Sequence, residues 1–375
     1  MSGAVYDVVV VGAGIVGVAC AFECARRGLK VAIVDRDMIG GGATAAGMGH
    51  IVVMDDSEAQ FALTRYSQEL WRELRPRLPG DAEYEECGTI WVAADDEEMA
   101  EVERKRAYYG ARGVPVEVLD GHQLEECEPG LRKGLAGGLM VLQDGVLYPP
   151  CAARFLADCA QESGAALHIG HAVLAMGKGR VATDHGELQG GVLVNAVGAS
   201  APELTPGIDV KKRKGHLLIT DRYPGFLRRQ LVELGYLKNA HSLTEDSVSF
   251  NVQPRKTGQV LIGSSRQYGA EHREIDTHIF ARMLQRAQAY MPGLGEMSTI
   301  RAWTGFRAAT SDKLPLIGAW SEDSTVFLAT GHEGLGITTS LATGKLVADQ
   351  ITGETPAIPV EPYLPSRTLA GQVHA

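Results

Sequence analysis

Short apolar runs and longer segments of helical periodicity alternate along most of this chain. Residues 8–11 and Val31–Asp35 are almost uninterrupted runs of branched apolar residues, which is typical of parallel strands buried on both faces. A helical segment separates them, and residues 326–351 repeat the order of strand, glycine-rich turn and helix. The pattern predicts an α/β layer to which both ends of the sequence contribute.

The middle of the chain predicts a second, β-rich unit and several connecting elements. Residues 40–51 contain too many glycines for regular structure, so we expect a loop whose backbone closely approaches a flat or charged group. The acidic pair Asp55-Asp56 is predicted to place negative charge at the start of the following helix. Residues 210–263 are rich in β-type runs and predict a domain of their own. The predicted helices are residues 57–78, 97–112, 151–164, Thr277–Tyr290 and 338–351, and the predicted strands are Thr89–Ala93, Ala166–Ile169, 192–197, 216–220, 247–252 and 260–263.

A glycine fingerprint follows the first apolar run directly. Gly12, Gly14 and Gly17 have the spacing G-x-G-x-x-G, and Asp35 closes the second strand about twenty residues later. Such glycines allow a tight turn, a close approach of backbone to a pyrophosphate and close packing of helix on strand, while the carboxylate accepts hydrogen bonds from ribose hydroxyls. The context favours a bound dinucleotide over a structural glycine turn of some other α/β unit.

Length and composition narrow the class of protein. The 375 residues, of which 45% are hydrophobic, are enough for two domains of ordinary size. A formal net charge of −10 argues against nucleic acid and anionic membranes as partners, since both require clustered cations. The apolar stretch 8–22 lacks a basic flank and is too short for a membrane span or a signal sequence. We therefore expect a soluble, cytoplasmic protein.

The cysteines and histidines do not predict a metal site. Six cysteines occur without a Cys-x-x-Cys pair and are interpreted as reduced thiols. Cys20 and Cys24 lie one helical turn apart and are expected to face the sheet as small hydrophobic residues. His168 and His171 lie on a predicted strand and lack a third ligand.

The motifs taken together resemble those of the D-amino-acid-oxidase-like superfamily of flavoproteins, which includes glycine and sarcosine oxidases. The resemblance covers nearly the whole chain and depends on the order of the motifs rather than on any one of them. Besides the fingerprint and the segment 41–51, the matching motifs are Gly145-Val-Leu-Tyr-Pro149, Val194-Asn-Ala-Val-Gly198-Ala, Trp303-Thr-Gly305-Phe-Arg307, Asp312-x-x-Pro315-Leu-Ile-Gly318 and Gly331-His332-x-Gly334-x-Gly336.

A narrower resemblance is to the flavin subunits of bacterial D-hydroxyproline dehydrogenases. It depends on three segments, and it leaves open a partner subunit, another electron acceptor and a homo-oligomer. The segments are Ala46-Gly-Met-Gly-His50-Ile-Val-Val-Met-Asp55-Asp, Arg213-Lys-Gly-His-Leu-Leu-Ile-Thr220 and Phe250-Asn-Val-Gln-Pro254.

The resemblance implies FAD rather than NAD, and a Rossmann-like FAD-binding domain with a discontinuous α+β substrate domain built on a largely antiparallel sheet. The FAD is expected to be non-covalent, because Thr44 stands about where histidine-linked relatives have their histidine, and residues 307–312 contain no cysteine. The expected FAD-binding domain comprises residues 1–85, 145–208 and 300–360, the substrate domain comprises residues 86–144 and 209–299, and residues 361–375 form a tail that wraps the surface or frays.

The fingerprint and the resemblance together imply a set of cofactor-binding residues along the whole chain. Amides of residues 334–337 and the dipole of the helix after them are expected to stabilise negative charge at flavin N1 and O2. The set is Gly12, Gly14, Ile15, Val16, Gly17, Asp35, Arg36, Thr44, Ala45, Gly47, Met48, Gly49, His50, Val173, Gly198, Arg307, Gly331, His332, Gly334, Leu335, Gly336, Ile337 and Thr338.

The expected reaction is oxidation of a small secondary or cyclic amino acid, similar to hydroxyproline or proline, at its α-C–N bond. Hydride passes to flavin N5 and leaves an imine. Arg307 is the expected carboxylate ligand and, with His50, a catalytic residue, while His332 and Tyr268 are candidate substrate contacts, with Tyr236 as a further aromatic residue of the pocket. A salt bridge for Arg307, and structural roles for the histidines and tyrosines, stay open. Three other functions also stay open. They are a glycine- or sarcosine-type oxidase that uses oxygen, an NAD-dependent dehydrogenase, and an FAD-holding electron-transfer subunit without a substrate site. The stereochemistry of the substrate stays open as well.

Overall fold

The structure, a computed structural model, describes residues 5–235 and 246–367 of the 375-residue chain. The strands in chain order are β1 (Val5–Val11), β2 (Val31–Asp35), β3 (His50–Ile51), β4 (Thr89–Ala93), β5 (Val116–Asp120), β6 (Gly137–Val141), β7 (Gly145–Val146), β8 (Ala166–Ile169), β9 (Val173–Gly177), β10 (Arg180–Thr183), β11 (Gly186–Asn195), β12 (Lys211–Thr220), β13 (Gln230–Glu233), β14 (Ser247–Pro254), β15 (Val260–Arg266), β16 (Thr299–Ala309), β17 (Leu316–Trp320) and β18 (Asp323–Thr330). The α-helices are α1 (Ile15–Ala25), α2 (Gly42–Ala45), α3 (Glu58–Leu74), α4 (Asp96–Ala111), α5 (Gly121–Cys127), α6 (Pro149–Glu162), α7 (Ala201–Leu204), α8 (Thr277–Tyr290) and α9 (Gly336–Thr352).

The first sheet contains the two apolar runs with which the sequence begins. Its main path is β17-β18-β11-β1-β2-β8, and the pairs β18–β11, β11–β1, β1–β2 and β2–β8 are all parallel. The strand β18 therefore returns from the C-terminal part of the chain to the same sheet as β1. The predicted α/β layer is confirmed.

The second sheet has the order β16-β12-β15-β14-β13-β4-β6-β5, and all of its pairs except the parallel pair β13–β4 are antiparallel. This confirms the expected second unit on a largely antiparallel sheet. The strand Thr299–Ala309 pairs with β12 in this sheet, although the expected FAD-binding segment begins at residue 300. The division into domains stays a prediction.

Backbone contacts fix α1 against the fingerprint turn and α9 against α1. A Cβ atom at Gly17 of α1 would lie 1.9 Å from the carbonyl oxygen of Gly12, and one at Gly344 of α9 would lie 2.5 Å from that of Ala19. No other residue type fits at these two positions without movement of the backbone. The fingerprint turn and the start of α9 are consequently held in one rigid unit.

The prediction for residues 40–51 was wrong in part, because the segment contains the short helix α2 and the strand β3. The amide of Gly40 donates to the carbonyl of Ala13 at 2.8 Å, and the Thr44 hydroxyl accepts from the amide of Ile15 at 3.0 Å. The strand β3 pairs with β7, with His50 opposite Val146. Contacts with distant residues therefore order a segment whose composition favours irregular structure.

The interpretation of Asp55 as a helix N-terminal charge was also wrong. Ser57 caps α3, and its hydroxyl accepts from the amide of Gln60 at 3.1 Å. The buried Asp55 instead forms an ion pair with the fully buried Lys105 of α4, and the hydroxyl of Tyr109 donates to it at 3.1 Å. The pKa of Asp55 is lowered by this neighbouring ammonium in spite of the opposing effect of burial.

The cysteines follow their prediction, while the assignment of residues 361–375 to a tail stays a prediction. Cys20 and Cys24 are fully buried in α1, and all six cysteines are free. After α9 the chain wraps over the surface, where the buried Tyr363 donates its hydroxyl to the carbonyl of Ala59 at 2.6 Å. Residues 368–375 lie outside the described residues.

The Lys105–Asp55 pair predicts a strong dependence of stability on Lys105. Replacing it by Met leaves the Asp55 carboxylate buried without its main partner, and we expect the free energy of unfolding to fall by about 3–5 kcal/mol. Denaturation by urea measures this loss. The control is Arg104→Ala, which removes the solvent-exposed partner of Asp55 and should cost less than about 1 kcal/mol. Equal losses in the two variants would contradict the assignment.

Candidate active site

One large cavity, of about 650 Å³, is lined by residues of both sheets. This volume lies within the range of small-molecule and cofactor sites. At one end the wall comprises the fingerprint turn after β1 and the end of β2, and at another it comprises residues 334–337 at the start of α9. The cavity thus connects the two glycine motifs that the sequence places more than 300 residues apart.

The fingerprint end has the geometry that a pyrophosphate and a ribose require. Gly12 has φ +109°, and a Cβ atom there would lie 2.6 Å from the carbonyl oxygen of Ala196. Asp35 accepts hydrogen bonds from the amides of Ala13 at 2.6 Å and Asp37 at 2.8 Å, so its carboxylate is fixed at the edge of the cavity. Close backbone and an oriented carboxylate fit the ADP part of a dinucleotide.

The start of α9 offers free backbone amides to the cavity. This helix has 17 residues, no side-chain cap and no acidic residue in its first turn. The N-terminal amides of such a helix carry partial positive charge and bind anionic groups. Close packing also limits the space for side chains at two glycines of the wall. A Cβ atom at Gly47 would lie 2.5 Å from Cδ1 of Ile337, and one at Gly305 would lie 2.4 Å from the Cβ of Ala46. These residues fit the isoalloxazine end of FAD.

Three arginines form a basic wall that the sequence did not predict as a group. Arg213 and Arg307 are opposite each other on β12 and β16, Arg266 ends β15, and all three line the cavity. Arg307 donates from Nη1 to the carbonyl of Ser265 at 2.9 Å, while Arg213 forms an ion pair with Glu333 and a 3.1 Å hydrogen bond with the hydroxyl of Tyr268.

Charge repulsion makes this basic wall receptive to an anion. Burial and the charge of Arg213 lower the pKa of Arg307 to about 9, and burial together with the other two guanidinium groups lowers the pKa of Arg266 to about 9. The carboxylate of Glu333 pairs with Arg213. A bound carboxylate would relieve the repulsion, and arginine offers it a planar, bidentate partner.

His50 and His332 both line the cavity and are both neutral at pH 7. Burial and the charge of Arg307 lower the pKa of His50 to about 4, although a contact with Gln230 opposes the change, and the His50 carbonyl accepts from the Thr338 hydroxyl at 2.8 Å. His332 bonds through Nε2 to the hydroxyl of Thr343 at 2.9 Å, and burial lowers its pKa to about 3. The Nε2 atom of His332 is thus hydrogen-bonded to a residue of α9.

The other predicted site residues divide into those that line the cavity and those that support it. Tyr268 is among the supporting residues, since it contacts the cavity wall through Arg213, and Tyr236 lies outside the described residues. The predicted residues that line the cavity are Gly12, Gly14, Ile15, Val16, Asp35, Arg36, Thr44, Gly47, Met48, His50, Val173, Gly198, Arg307, His332, Gly334, Leu335, Gly336 and Ile337. Those that the described cavity wall does not include are Gly17, Ala45, Gly49, Gly331, Thr338 and Tyr268.

The substrate end contains further polar residues that sequence reasoning missed. Besides Arg213 and Arg266, they are Gln60, Trp91, Gln230 and Asn251. Gln60 lies on α3, and the others lie on strands that are adjacent in the second sheet but far apart in the sequence, so no local pattern groups them. Asn251 lies in one of the segments that resemble hydroxyproline dehydrogenases, which is the one signal that could have selected it.

A glycine fingerprint after the first strand of a parallel sheet, opening into a large cavity, is typical of an enzyme with a nucleotide cofactor. The model of the FAD dependent oxidoreductase family, DAO, matches residues 7–350, and the chain therefore belongs to that family. The cofactor is FAD, and the predicted class of enzyme, an oxidoreductase that acts on amino acids or amines, is confirmed. That the FAD is held without a covalent bond stays a prediction.

Similar proteins are found over the full length of the chain. It is 29% identical over 380 residues to a glycine oxidase of Geobacillus kaustophilus, with 97% of both chains covered, and 29% identical over 415 residues to the hydrogen cyanide synthase subunit HcnC of Pseudomonas aeruginosa, with 96% of both covered. Among solved structures, glycine oxidase from Geobacillus kaustophilus has a TM-score of 0.87 at 27% identity, with 97% of this chain and 99% of that chain covered. L-proline dehydrogenase from P. horikoshii has a TM-score of 0.87 at 25% identity, with 99% of both covered.

Within the described ranges 5–235 and 246–367, none of the helices combines the length and the apolar character that a membrane span requires.

The buried His332 predicts a specific dependence of stability on pH. Its pKa of about 3 lies below the value of about 6.5 in an unfolded chain, so between these values only the unfolded state binds the proton. Stability is therefore lost as the pH falls below about 6.5. Between pH 7 and 5, we expect the wild type to lose about 2 kcal/mol more than His332→Gln, which does not titrate.

Urea denaturation of the FAD-bound protein at both pH values measures the effect. The control is the exposed His122→Gln, which should retain the pH dependence of the wild type. If His332→Gln keeps that dependence as well, the buried neutral histidine is not its source.

Proposed function

We propose that this enzyme oxidises a small secondary or cyclic amino acid, similar to hydroxyproline or proline, at the bond between the α-carbon and the amine nitrogen. FAD, when bound, supplies the acceptor for the hydride that leaves the α-carbon. The product is an imine. The basic wall beside the start of α9 is the observation that carries this proposal, because an amino acid presents a carboxylate next to the carbon that reacts.

Arg307 is the member of the basic wall best placed to bind the substrate carboxylate. A Cβ atom at Gly334 would lie 3.5 Å from Nε of Arg307, so the guanidinium lies against the loop that precedes α9. Its Nη1 is held by the Ser265 carbonyl, which leaves other N–H groups of the guanidinium for a ligand. A carboxylate bound there would place the α-carbon near the flavin end of the cavity.

The residues behind Arg307 hold its side chain in one position. A Cβ atom at Gly215 would lie 2.4 Å from Nη1 of Arg307, so any side chain there would displace the guanidinium from this position. The hydroxyl of Ser265 bonds at 2.8 Å to Nδ1 of the buried His216, and Nε2 of that ring accepts from the amide of Asp276 at 3.0 Å. This network orients the strand from which Ser265 binds Arg307.

His50 suits a supporting role in the same reaction. Since its imidazole is neutral at pH 7, it adds no positive charge beside Arg307 and can accept a hydrogen bond from the substrate amine. A neutral amine is the form that loses hydride. A neutral acceptor stabilises the competing ammonium form less strongly than a carboxylate would. The assignment of His50 as a catalytic residue rests on this position and charge.

Two further candidates follow from the similar proteins. The glycine oxidases, which are 29% and 27% identical to this chain, favour a second substrate class of glycine, sarcosine or other N-substituted glycines, with oxygen as the acceptor. The HcnC relative is named as a subunit, which favours a partner that receives the electrons. An FAD-holding subunit without its own substrate site is the corresponding alternative of another class.

Anaerobic mixing of the purified protein with a panel of amino acids tests the proposal. The panel contains both enantiomers of proline and of hydroxyproline, together with glycine, sarcosine and bulkier N-substituted glycines. We expect a cyclic amino acid to bleach the flavin absorbance fastest. Bleaching by glycine or sarcosine alone would favour the second candidate, a glycine- or sarcosine-type oxidase. If no member of the panel bleaches the flavin, the result would favour the electron-transfer subunit.

Arg307→Ala should weaken substrate binding severely and leave the flavin spectrum intact. Loss of one partner of a buried charge pair costs about 2–5 kcal/mol, which corresponds to a fall in kcat/KM of about 30-fold to several thousand-fold. Arg307→Lys should recover only part of this loss, since an ammonium cannot bind a carboxylate in the bidentate manner. Steady-state kinetics with the substrate found by the panel measures both effects.

The matched control is Arg301→Ala, which removes an exposed arginine from the same strand and should leave kcat/KM unchanged. Normal substrate affinity in Arg307→Ala would exclude this arginine as the carboxylate ligand.

A further inference from the structure

Part of the cavity wall carries buried polar groups that bind nothing in the described part of the chain. Trp91 is 3% exposed and Gln60 is 6% exposed, and both line the cavity together with Asn251. The indole Nε1 of Trp91, the Oε1 of Gln60 and the Oδ1 of Asn251 have no hydrogen-bond partner among the described residues. Leaving such a group unsatisfied costs about 1–3 kcal/mol, so three of them in one cavity indicate a ligand with complementary groups.

The sheet register places two of these groups in one row. Trp91 on β4 pairs with Val232 on β13, and Val232 pairs in turn with Asn251 on β14. Residues that pair across neighbouring strands project on the same face of a sheet, and all three residues line the cavity. Gln60 belongs to α3, and its side chain reaches the same cavity.

The cation beside Trp91 is balanced by an ion pair. The Lys105 ammonium lies 4.7 Å from the centre of the Trp91 ring, but the ion pair with Asp55 balances its charge. The Lys105–Asp55 pair therefore fixes the ring without making the wall basic. The arginines of the basic wall, in contrast, provide the charge that a carboxylate requires.

We propose that Gln60, Trp91 and Asn251 form a subsite that binds a hydroxyl group on the substrate, at a carbon other than the one oxidised. A hydroxyl both donates and accepts hydrogen bonds, and this subsite offers two carbonyl acceptors and one N–H donor. A second carboxylate could only accept, and a methylene group could do neither. This inference rests on the proposed function and makes a hydroxylated cyclic amino acid the preferred substrate class.

The subsite makes specificity the property to measure. When a site is built to bind a substrate hydroxyl, the analogue without it leaves buried polar groups unpaired and is rejected. We expect a 4-hydroxyproline to exceed proline of the same α-configuration at least about 10-fold in kcat/KM, which is the effect of about 1.4 kcal/mol. Water that enters the subsite with proline reduces the difference but does not abolish it.

Two variants test the subsite through different atoms. Trp91→Phe removes the N–H and keeps an aromatic ring above Lys105, while Asn251→Val removes the carboxamide and keeps a residue that suits a strand. The control is Ser249→Ala, which changes a buried polar residue two positions earlier on the same strand and away from the described cavity wall. Flavin absorbance and the melting temperature show whether each variant is folded.

Both isomers of 4-hydroxyproline at C4, in both α-configurations, and the two prolines are compared as substrates. We expect the best hydroxyproline-to-proline ratio of kcat/KM to fall towards 1 in Trp91→Phe and in Asn251→Val, and to stay unchanged in Ser249→Ala. A wild-type ratio of 1 would overturn the inference, and so would a ratio that both variants leave unchanged.

Calorimetric binding of the same compounds separates this inference from the proposed function. If no compound reduces the flavin, the proposed oxidation fails. The subsite still stands if hydroxyproline binds more tightly than proline to the wild type and the two variants lose this preference. Equal binding of hydroxyproline and proline to the wild type would overturn the subsite even where both are oxidised.

Discussion

The contact between α1 and α9 is the constraint on which the site depends. Gly344 of α9 lies against the backbone of Ala19 in α1, at a distance that excludes any side chain. The fingerprint turn precedes α1, and residues 334–337 precede α9, so this contact fixes one glycine motif relative to the other. A cavity that must hold FAD along its whole length requires a constant distance between the two glycine motifs. The basic wall is positioned relative to them because Arg307 lies against the loop at Gly334.

Much of the fold could be predicted because its signals are local. The apolar run before Gly12, the glycine spacing and the acid at Asp35 lie within 35 residues, and the structure has the expected strand, helix and strand. The segment 40–51 and Asp55 were misinterpreted for one shared reason. Their conformation is set by partners far away in the sequence, such as Lys105 on α4, and neither glycine content nor a neighbouring helix start reports such partners.

The candidate site divides in the same way. The backbone contributions to the cofactor end are visible as glycine motifs, and Arg307 stands in a motif of its own. Arg213, Arg266, Trp91 and Asn251 become neighbours only through the order of strands in the second sheet. Inward and outward residues alternate along antiparallel strands, and each of these side chains fits the alternation of its own strand. Which of them share one site depends on the register between strands, and the sequence does not show that register.

The return of β18 to the first sheet has a consequence for how the protein is made. The ribosome must add about 320 residues between the fingerprint and the loop before α9, which takes on the order of 15–60 s at usual rates of synthesis. During that time the surface of α1 that later meets α9 is uncovered, and the fingerprint lacks the opposite wall of its cavity. FAD can therefore be enclosed only after the loop before α9 has been synthesised, and the growing chain must keep an apolar helix face from aggregating until then.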